Sequence, residues 1–301
     1  MNDLPAPSAA AQSLAASEAS GFRECRFRAQ DGLEIYYRDY GDPGATRIPV
    51  LCLSGLTRNS RDFHDIALRR APERRVLAMD YRGRGKSGRD PDWRNYRPET
   101  YIADILDLLS AAHAERVVVI GTSMGGLLAM GLAVFRPNCL AGAVLNDIGP
   151  DVEPDAYARI VSYISTDRPQ PDWPSAIADM KELFPNLALQ TPEQLRRLAE
   201  GTYRRGEDGM LHFDWDLALA RALAASKIRF PDLWPMFRAF GQRPVLALRG
   251  ALSDVLSEAT FERMAREKPD LLRAVVPNVG HVPALDEKEA SLALDDFFSR
   301  V

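Results

Sequence analysis

The residues best placed to do chemistry lie in Gly121-Thr122-Ser123-Met124-Gly125. A serine hydroxyl is a poor nucleophile at neutral pH. It needs a neighbouring base, an acid that orients the base, and donors for the oxyanion formed when it attacks a carbonyl. The pentapeptide follows Val117-Val118-Val119-Ile120, whose unbroken apolar character predicts a strand buried on both faces, and it opens a stretch from Met124 to Phe135 that predicts a helix. A strand, a sharp turn and a helix would hold Ser123 in a strained conformation with its oxygen exposed at the carboxyl edge of a sheet. The pentapeptide alone fits an ordinary glycine-rich helix start equally well; its flanks disfavour that reading.

The base is constrained by counting, because the histidines are His64, His113, His212 and His281. A serine at such a turn is followed along the chain by its acid and then by its histidine. That order selects His281, in the turn-rich loop Asn278-Val279-Gly280-His281-Val282-Pro283. His64 and His113 precede the serine on helical stretches. Asp254, in Gly250-Ala251-Leu252-Ser253-Asp254, is the expected acid. Asp147, after Ala143-Val144-Leu145-Asn146, competes for the role from one strand earlier or else caps the loop it begins. The oxyanion donors are expected from two backbone amides, Met124 after the nucleophile and Leu56 in Leu53-Ser54-Gly55-Leu56-Thr57-Arg58. Arg58, His212 and Trp215 are the candidate substrate contacts. Arg58 could meet a carboxylate, although an exposed arginine at a helix start is the plainer view. Trp173, Tyr203, Phe213 and Trp234 could join Trp215 in an apolar pocket or only pack beneath it.

These side chains need a scaffold that brings distant loops to one edge. Strand patterns run over residues 24–28, 33–40, 49–53, 75–79, 116–121, 140–146, 244–249 and 271–276, separated by helical stretches at 61–70, 100–112, 124–135 and 286–299. The alternation predicts an α/β fold with a mostly parallel central sheet flanked by helices. Over residues 151–241 only helical periodicity and prolines appear, which predicts an inserted helical cap, or lid, between two halves of the core at 21–150 and 242–301. Residues 1–20 are rich in Ala, Ser and Pro without the pattern of a secretory signal, and are expected to form a disordered tail.

Composition narrows the partners. A net charge of -4 with 27% charged residues offers nothing to a polyanion, so a small-molecule substrate is expected and nucleic acid is not. No stretch reaches the roughly 18 apolar residues of a membrane span. Cys25, Cys52 and Cys139 share no metal-binding spacing and read as buried hydrophobes in a reducing, cytoplasmic setting, so no metal is expected. Nothing in the sequence speaks to oligomeric state. Gly83-x-Gly85-x-x-Gly88 matches a dinucleotide fingerprint, but Arg89-Asp90-Pro91-Asp92 continues as loop where that fingerprint needs a helix.

In order and spacing these motifs resemble the α/β-hydrolase superfamily, in particular its capped bacterial esterase-like members, from about Gly21 onward. The family's Asp-x-Arg-Gly-x-Gly-x-Ser turn appears as Asp80-Tyr81-Arg82-Gly83-Arg84-Gly85-Lys86-Ser87, and its usual His-Gly pair before the oxyanion residue appears as Ser54-Gly55. The resemblance implies cofactor-free hydrolysis of a small carboxylic ester or lactone through a Ser-His-Asp triad and an acyl-enzyme. Cleavage of a C–C bond, amidase or peptidase chemistry, and ligand binding with little turnover are the alternatives, since a triad does not specify the leaving group. Haloalkane dehalogenases and epoxide hydrolases resemble the chain less, because they carry Asp where it has Ser123.

Overall fold

In chain order the strands are β1 (Arg23–Arg28), β2 (Glu34–Tyr40), β3 (Val50–Leu53), β4 (Val76–Met79), β5 (Val117–Thr122), β6 (Leu140–Asn146), β7 (Tyr203–Arg205), β8 (Leu211–Phe213), β9 (Val245–Gly250) and β10 (Leu272–Val276). They belong to a computed structural model that describes residues 21–184, 186, 191–225 and 232–301. The tail expected over residues 1–20 lies outside the described residues. The main sheet has the order β1-β2-β4-β3-β5-β6-β9-β10. Pairing is antiparallel from β1 to β2 and from β2 to β4, and parallel from β4 across to β10. This is the α/β-hydrolase arrangement.

Strand period explains why the central strands are apolar throughout. Leu51, Leu53, Val117 and Val119 point to one face of the sheet, while Val50, Cys52, Val118 and Ile120 point to the other. Helices cover both faces. The first is packed by α2 (Pro98–Ala111) through Ile105 and Leu108 and by α3 (Met124–Phe135) through Leu128 and Leu132. On the second, α1 (His64–Arg70) contributes Ile66 and Ala67, and α10 (Lys288–Phe298) contributes Leu294 and Phe297. A helix absent from the sequence expectations, α9 (Glu258–Glu267), joins β9 to β10; its N-cap Ser257 accepts a hydrogen bond from the Thr260 amide.

The direction of chain progression reverses between β3 and β5. From β3 the chain steps outward to β4, then returns to β5 on β3's other side and continues to β6. Open α/β sheets bind ligands at such a switch point, outside the carboxyl ends of the strands. Here those two ends lead directly into Ser54-Gly55-Leu56 and into Ser123.

Between β6 and β9 the chain forms α4 (Pro154–Ile164), α5 (Trp173–Leu183), α6 (Pro192–Thr202), α7 (Ala218–Ala225) and α8 (Trp234–Arg238). Pro154, Pro174, Pro192 and Pro235 each stand in a helix's first turn, where a missing N–H costs nothing. The helix-only expectation for this segment is corrected by β7 and β8, a hairpin pairing Tyr203 with Phe213 and Arg205 with Leu211. Three residues per strand are too few for a period of two to stand out. The hairpin closes through Gly209, at φ 80°, whose amide donates to the Gly206 carbonyl at 3.1 Å. Backbone bonds tie the segment to the turn after β4: Asp216 N to Gly83 O at 2.7 Å and Gly85 N to Asp214 O at 3.2 Å.

Candidate active site

Ser123 occupies the turn between β5 and α3 with φ 51° and ψ -116°, outside the ordinary regions for a side-chain-bearing residue. Such backbone costs on the order of 1–3 kcal/mol and persists only where its surroundings enforce it. The glycines on either side do so. A Cβ on Gly121 would stand 2.5 Å from the Gly125 backbone, and one on Gly125 would run into the Leu53 carbonyl oxygen, so only hydrogen permits the strand and helix to meet this closely. The Ser123 amide donates to the Asn146 carbonyl at 3.0 Å, anchoring the turn to β6.

His281 comes from the loop after β10, with Nε2 3.0 Å from Ser123 Oγ and Nδ1 2.6 Å from Asp147 Oδ2. A carboxylate only accepts, so Nδ1 carries the ring proton and Nε2 is left as acceptor toward the serine hydroxyl. Asn146 braces the same loop, its Nδ2 donating to the Pro283 carbonyl at 3.0 Å.

The acid beside the histidine departs from expectation. Asp254 is half exposed and forms an ion pair with Arg159 of α4. The fully buried carboxylate of Asp147, at the end of β6, reaches His281 instead. Parallel pairing of β6 with β9 explains the difference. It sets Asn146 beside Leu248 and lets the Asp147 amide donate to the Leu248 carbonyl at 2.9 Å. Asp147 then adopts φ 56°, a left-handed conformation that Asp tolerates, and Oδ1 receives the Gly250 amide at 2.8 Å. Ser253 Oγ donates to Asp147 Oδ2 at 2.6 Å. Ser253 was not among the sequence candidates; only its adjacency to Asp254 drew attention to that loop.

Leu56 follows β3 on the near side of Ser123. A Cβ built on Gly55 would lie 3.8 Å from Ser123 Cβ, which puts this loop against the serine. Met124 N is the first amide of α3, where helical geometry supplies no acceptor. Among the described residues neither the Leu56 amide nor the Met124 amide has a protein acceptor.

Each of the three expected substrate contacts is engaged by groups of the protein itself. Arg58 donates through Nε to Asp62 at 2.8 Å, through Nη2 to the same carboxylate, and through Nη1 to the Thr202 hydroxyl of α6. The bond to Thr202 joins the loop after β3 to the helical segment. His212, on β8, sits between Asp167 and Asp208, at 2.6 and 3.1 Å, and the Asp167 carboxylate first among them raises its pKa. Trp215 is buried and stacks on Phe213, centroids 4.0 Å apart, while its indole N–H donates to the Ile164 carbonyl at 3.4 Å. It packs the segment.

A family model described as the alpha/beta hydrolase family matches residues 50–293. The 3-hydroxybutyrate-oligomer hydrolase of Cupriavidus necator is 33% identical over 95% of this chain and 99% of that protein. The chain belongs to the alpha/beta hydrolase family. A crystal structure of an alpha/beta hydrolase from Novosphingobium aromaticivorans superimposes with a TM-score of 0.87 at 39% identity, covering 93% of this chain and 99% of the other. The 2-(acetamidomethylene)succinate hydrolase of Mesorhizobium japonicum is 26% identical over 77% of this chain and 81% of its own length. Among the described residues no helix is long and apolar enough to cross a membrane, and no group of three or more His, Cys, Asp or Glu side chains could hold a metal ion.

Proposed function

We propose that this alpha/beta hydrolase cleaves small carboxylic esters through an acyl-enzyme, with Ser123 as nucleophile, His281 as general base and then acid, and Asp147 as the orienting carboxylate. One observation carries the reading: a continuous chain from Ser123 Oγ through both ring nitrogens of His281 to Asp147, with steps of 3.0 and 2.6 Å. His281 Nε2 takes the hydroxyl proton as Oγ attacks the ester carbonyl. The Leu56 and Met124 amides receive the oxyanion, and His281 returns the proton to the departing alcohol. Water, deprotonated by the same nitrogen, then releases the acid. Asp147 keeps the imidazole in the required tautomer and stabilises the imidazolium.

The Cupriavidus relative supports a first substrate class, linear oligoesters of short hydroxy acids such as 3-hydroxybutyrate. In this reading the segment from α4 to α8 is a cap over the site. Support comes from the Asn186 carbonyl, which accepts the amide of Gly280 beside the histidine at 3.0 Å. The test is turnover of 3-hydroxybutyrate dimer and trimer, chromogenic esters, a lactone and an anilide by the parent, Ser123→Ala and His281→Ala proteins. Ester cleavage lost in both variants, with fluorophosphonate labelling absent from Ser123→Ala, is the expected result. Parent-like turnover by Ser123→Ala overturns it, and faster cleavage of the anilide than of any ester moves the activity to amides.

A further inference from the structure

Two arginines in the turn after β4 are equally buried, at 1% exposure each, yet their surroundings treat their charges oppositely. Arg82 faces three carboxylates: Asp104 through Nε and Nη2 at 2.7 and 2.6 Å, Asp31 at 2.7 Å and Asp90 at 2.5 Å. Its charge is more than compensated, as a structural cation's must be. Arg84 has no carboxylate within ion-pair distance among the described residues. Neutral oxygens hold it instead. Nε donates to the Leu56 carbonyl at 2.8 Å, and Nη1 donates to the Arg82 carbonyl and the Tyr101 hydroxyl, both at 2.8 Å. The guanidinium carbon lies 4.9 Å from the centre of the Tyr101 ring, within cation–π range, and among the described residues Nη2 has no hydrogen-bond partner.

A buried cation with no carboxylate in ion-pair contact is costly, and here one is fastened to Leu56, whose amide the hydrolase reading assigns to the oxyanion. We propose that Arg84 is a positioning residue of the oxyanion loop, holding Leu56 by its carbonyl so that the amide stays aimed at the reacting carbonyl oxygen. Its positive charge, which no carboxylate among the described residues meets in an ion pair, favours that oxygen as it becomes negative. The neutral substrate has no such charge, so the effect belongs to the transition state and falls on kcat more than on KM. The inference rests on the hydrolase reading above.

The experiment compares the parent with Arg84→Met, which removes charge and fork, and Arg84→Lys, which keeps charge without the fork. Competent sites are counted by end-point fluorophosphonate titration, so misfolded protein does not enter kcat. The inhibition constant of a trifluoromethyl ketone, which forms an oxyanion on Ser123, is measured beside kcat and KM for a chromogenic ester. Arg84→Met is expected to lose about 10- to 100-fold in kcat per site, less than deletion of a donor itself costs, with ketone affinity falling by a similar factor and KM within about threefold. Arg84→Lys should fall between the two. A purely structural role would lower Tm or the number of competent sites and leave kcat per site and ketone affinity alone. Values within about twofold of the parent in both variants overturn the proposal, and if Arg84→Met does not fold, Arg84→Lys decides by the same criterion. Parent-like turnover by Ser123→Ala would be a different failure, that of the hydrolase reading, and would take the inference with it.

Discussion

Replacing Asp147 by Asn separates the two carboxylates that compete for the place beside His281. The Asp147 side chain is fully buried, and three donors converge on it: His281 Nδ1 and Ser253 Oγ on Oδ2, each at 2.6 Å, and the Gly250 amide on Oδ1 at 2.8 Å. Asn suits the test because it tolerates the left-handed backbone at this position, where φ is 56°. It has one acceptor oxygen to offer. With that oxygen on Gly250, the NH2 group faces His281, which must accept at Nδ1 and carry its proton on Nε2, pointing at Ser123. That tautomer cannot act as base. The opposite rotamer sets NH2 against the Gly250 amide, leaving two donors face to face in a buried site. Loss of tautomer control in a serine triad costs about 10⁴ in kcat; we expect ~10³- to 10⁴-fold here, or about 4–5.5 kcal/mol of transition-state stabilisation. Asp254→Asn breaks only a half-exposed ion pair with Arg159, worth ~0–1 kcal/mol, and should leave kcat within about threefold of the parent. The assay is steady-state hydrolysis of a chromogenic ester, normalised to fluorophosphonate-titrated sites, with Tm recorded for each protein. The assignment is refuted if Asp147→Asn stays within about tenfold of the parent while Asp254→Asn loses about a hundredfold.

Three further outcomes follow from particular contacts. Gly125→Ala drives a methyl group into the Leu53 carbonyl across two rigid elements, and should destabilise the protein by about 3 kcal/mol or more, seen as a lower Tm and few titratable serines. Arg58→Ala removes the bonds to Asp62 and Thr202, and should cost about 1–3 kcal/mol in denaturant unfolding; the ratio of anionic to neutral ester cleavage should stay within about threefold, and a selective loss on anionic esters would restore a substrate role. Burial pushes the Asp214 carboxyl up to about 6, aided by the nearby Asp80 and opposed by Arg61 and Arg204. Its folded-state pKa is raised, so the stability it contributes is present below the ordinary carboxylate pKa and is lost as pH rises through about 6. Asp214→Asn, which stays neutral, should therefore gain on the parent by on the order of 2 kcal/mol between about pH 4.5 and about pH 7.5, and a difference flat across that range would refute the reasoning.

Sequence alone determined the features that depend on neighbours along the chain. An unbroken apolar run, a glycine on each side of Ser123 and a helical stretch afterwards specify a strand, a tight turn and a helix, because period and close approach are local properties. His281 was legible through chain order and its turn-rich loop. The hairpin of β7 and β8 was not, because three-residue strands carry no readable period. The turn motif singles out Arg82 but is silent on Arg84; only tertiary contacts show that Arg82 meets three carboxylates while Arg84 meets tyrosines and a loop carbonyl. Arg58, His212 and Trp215 were chemically able to meet a substrate; the sequence did not reveal that they also bond Thr202, Asp167 and the Ile164 carbonyl, each far along the chain. Which carboxylate stands beside His281 was decided by tertiary contacts as well. Asp147 and Asp254 each follow a strand at the same edge of the sheet, so composition and spacing leave either able to serve. The choice falls to tertiary structure, because reach depends on how β6 lies against β9: that pairing buries Asp147 among three donors and turns it toward the imidazole, while Asp254 is left in solvent beside Arg159.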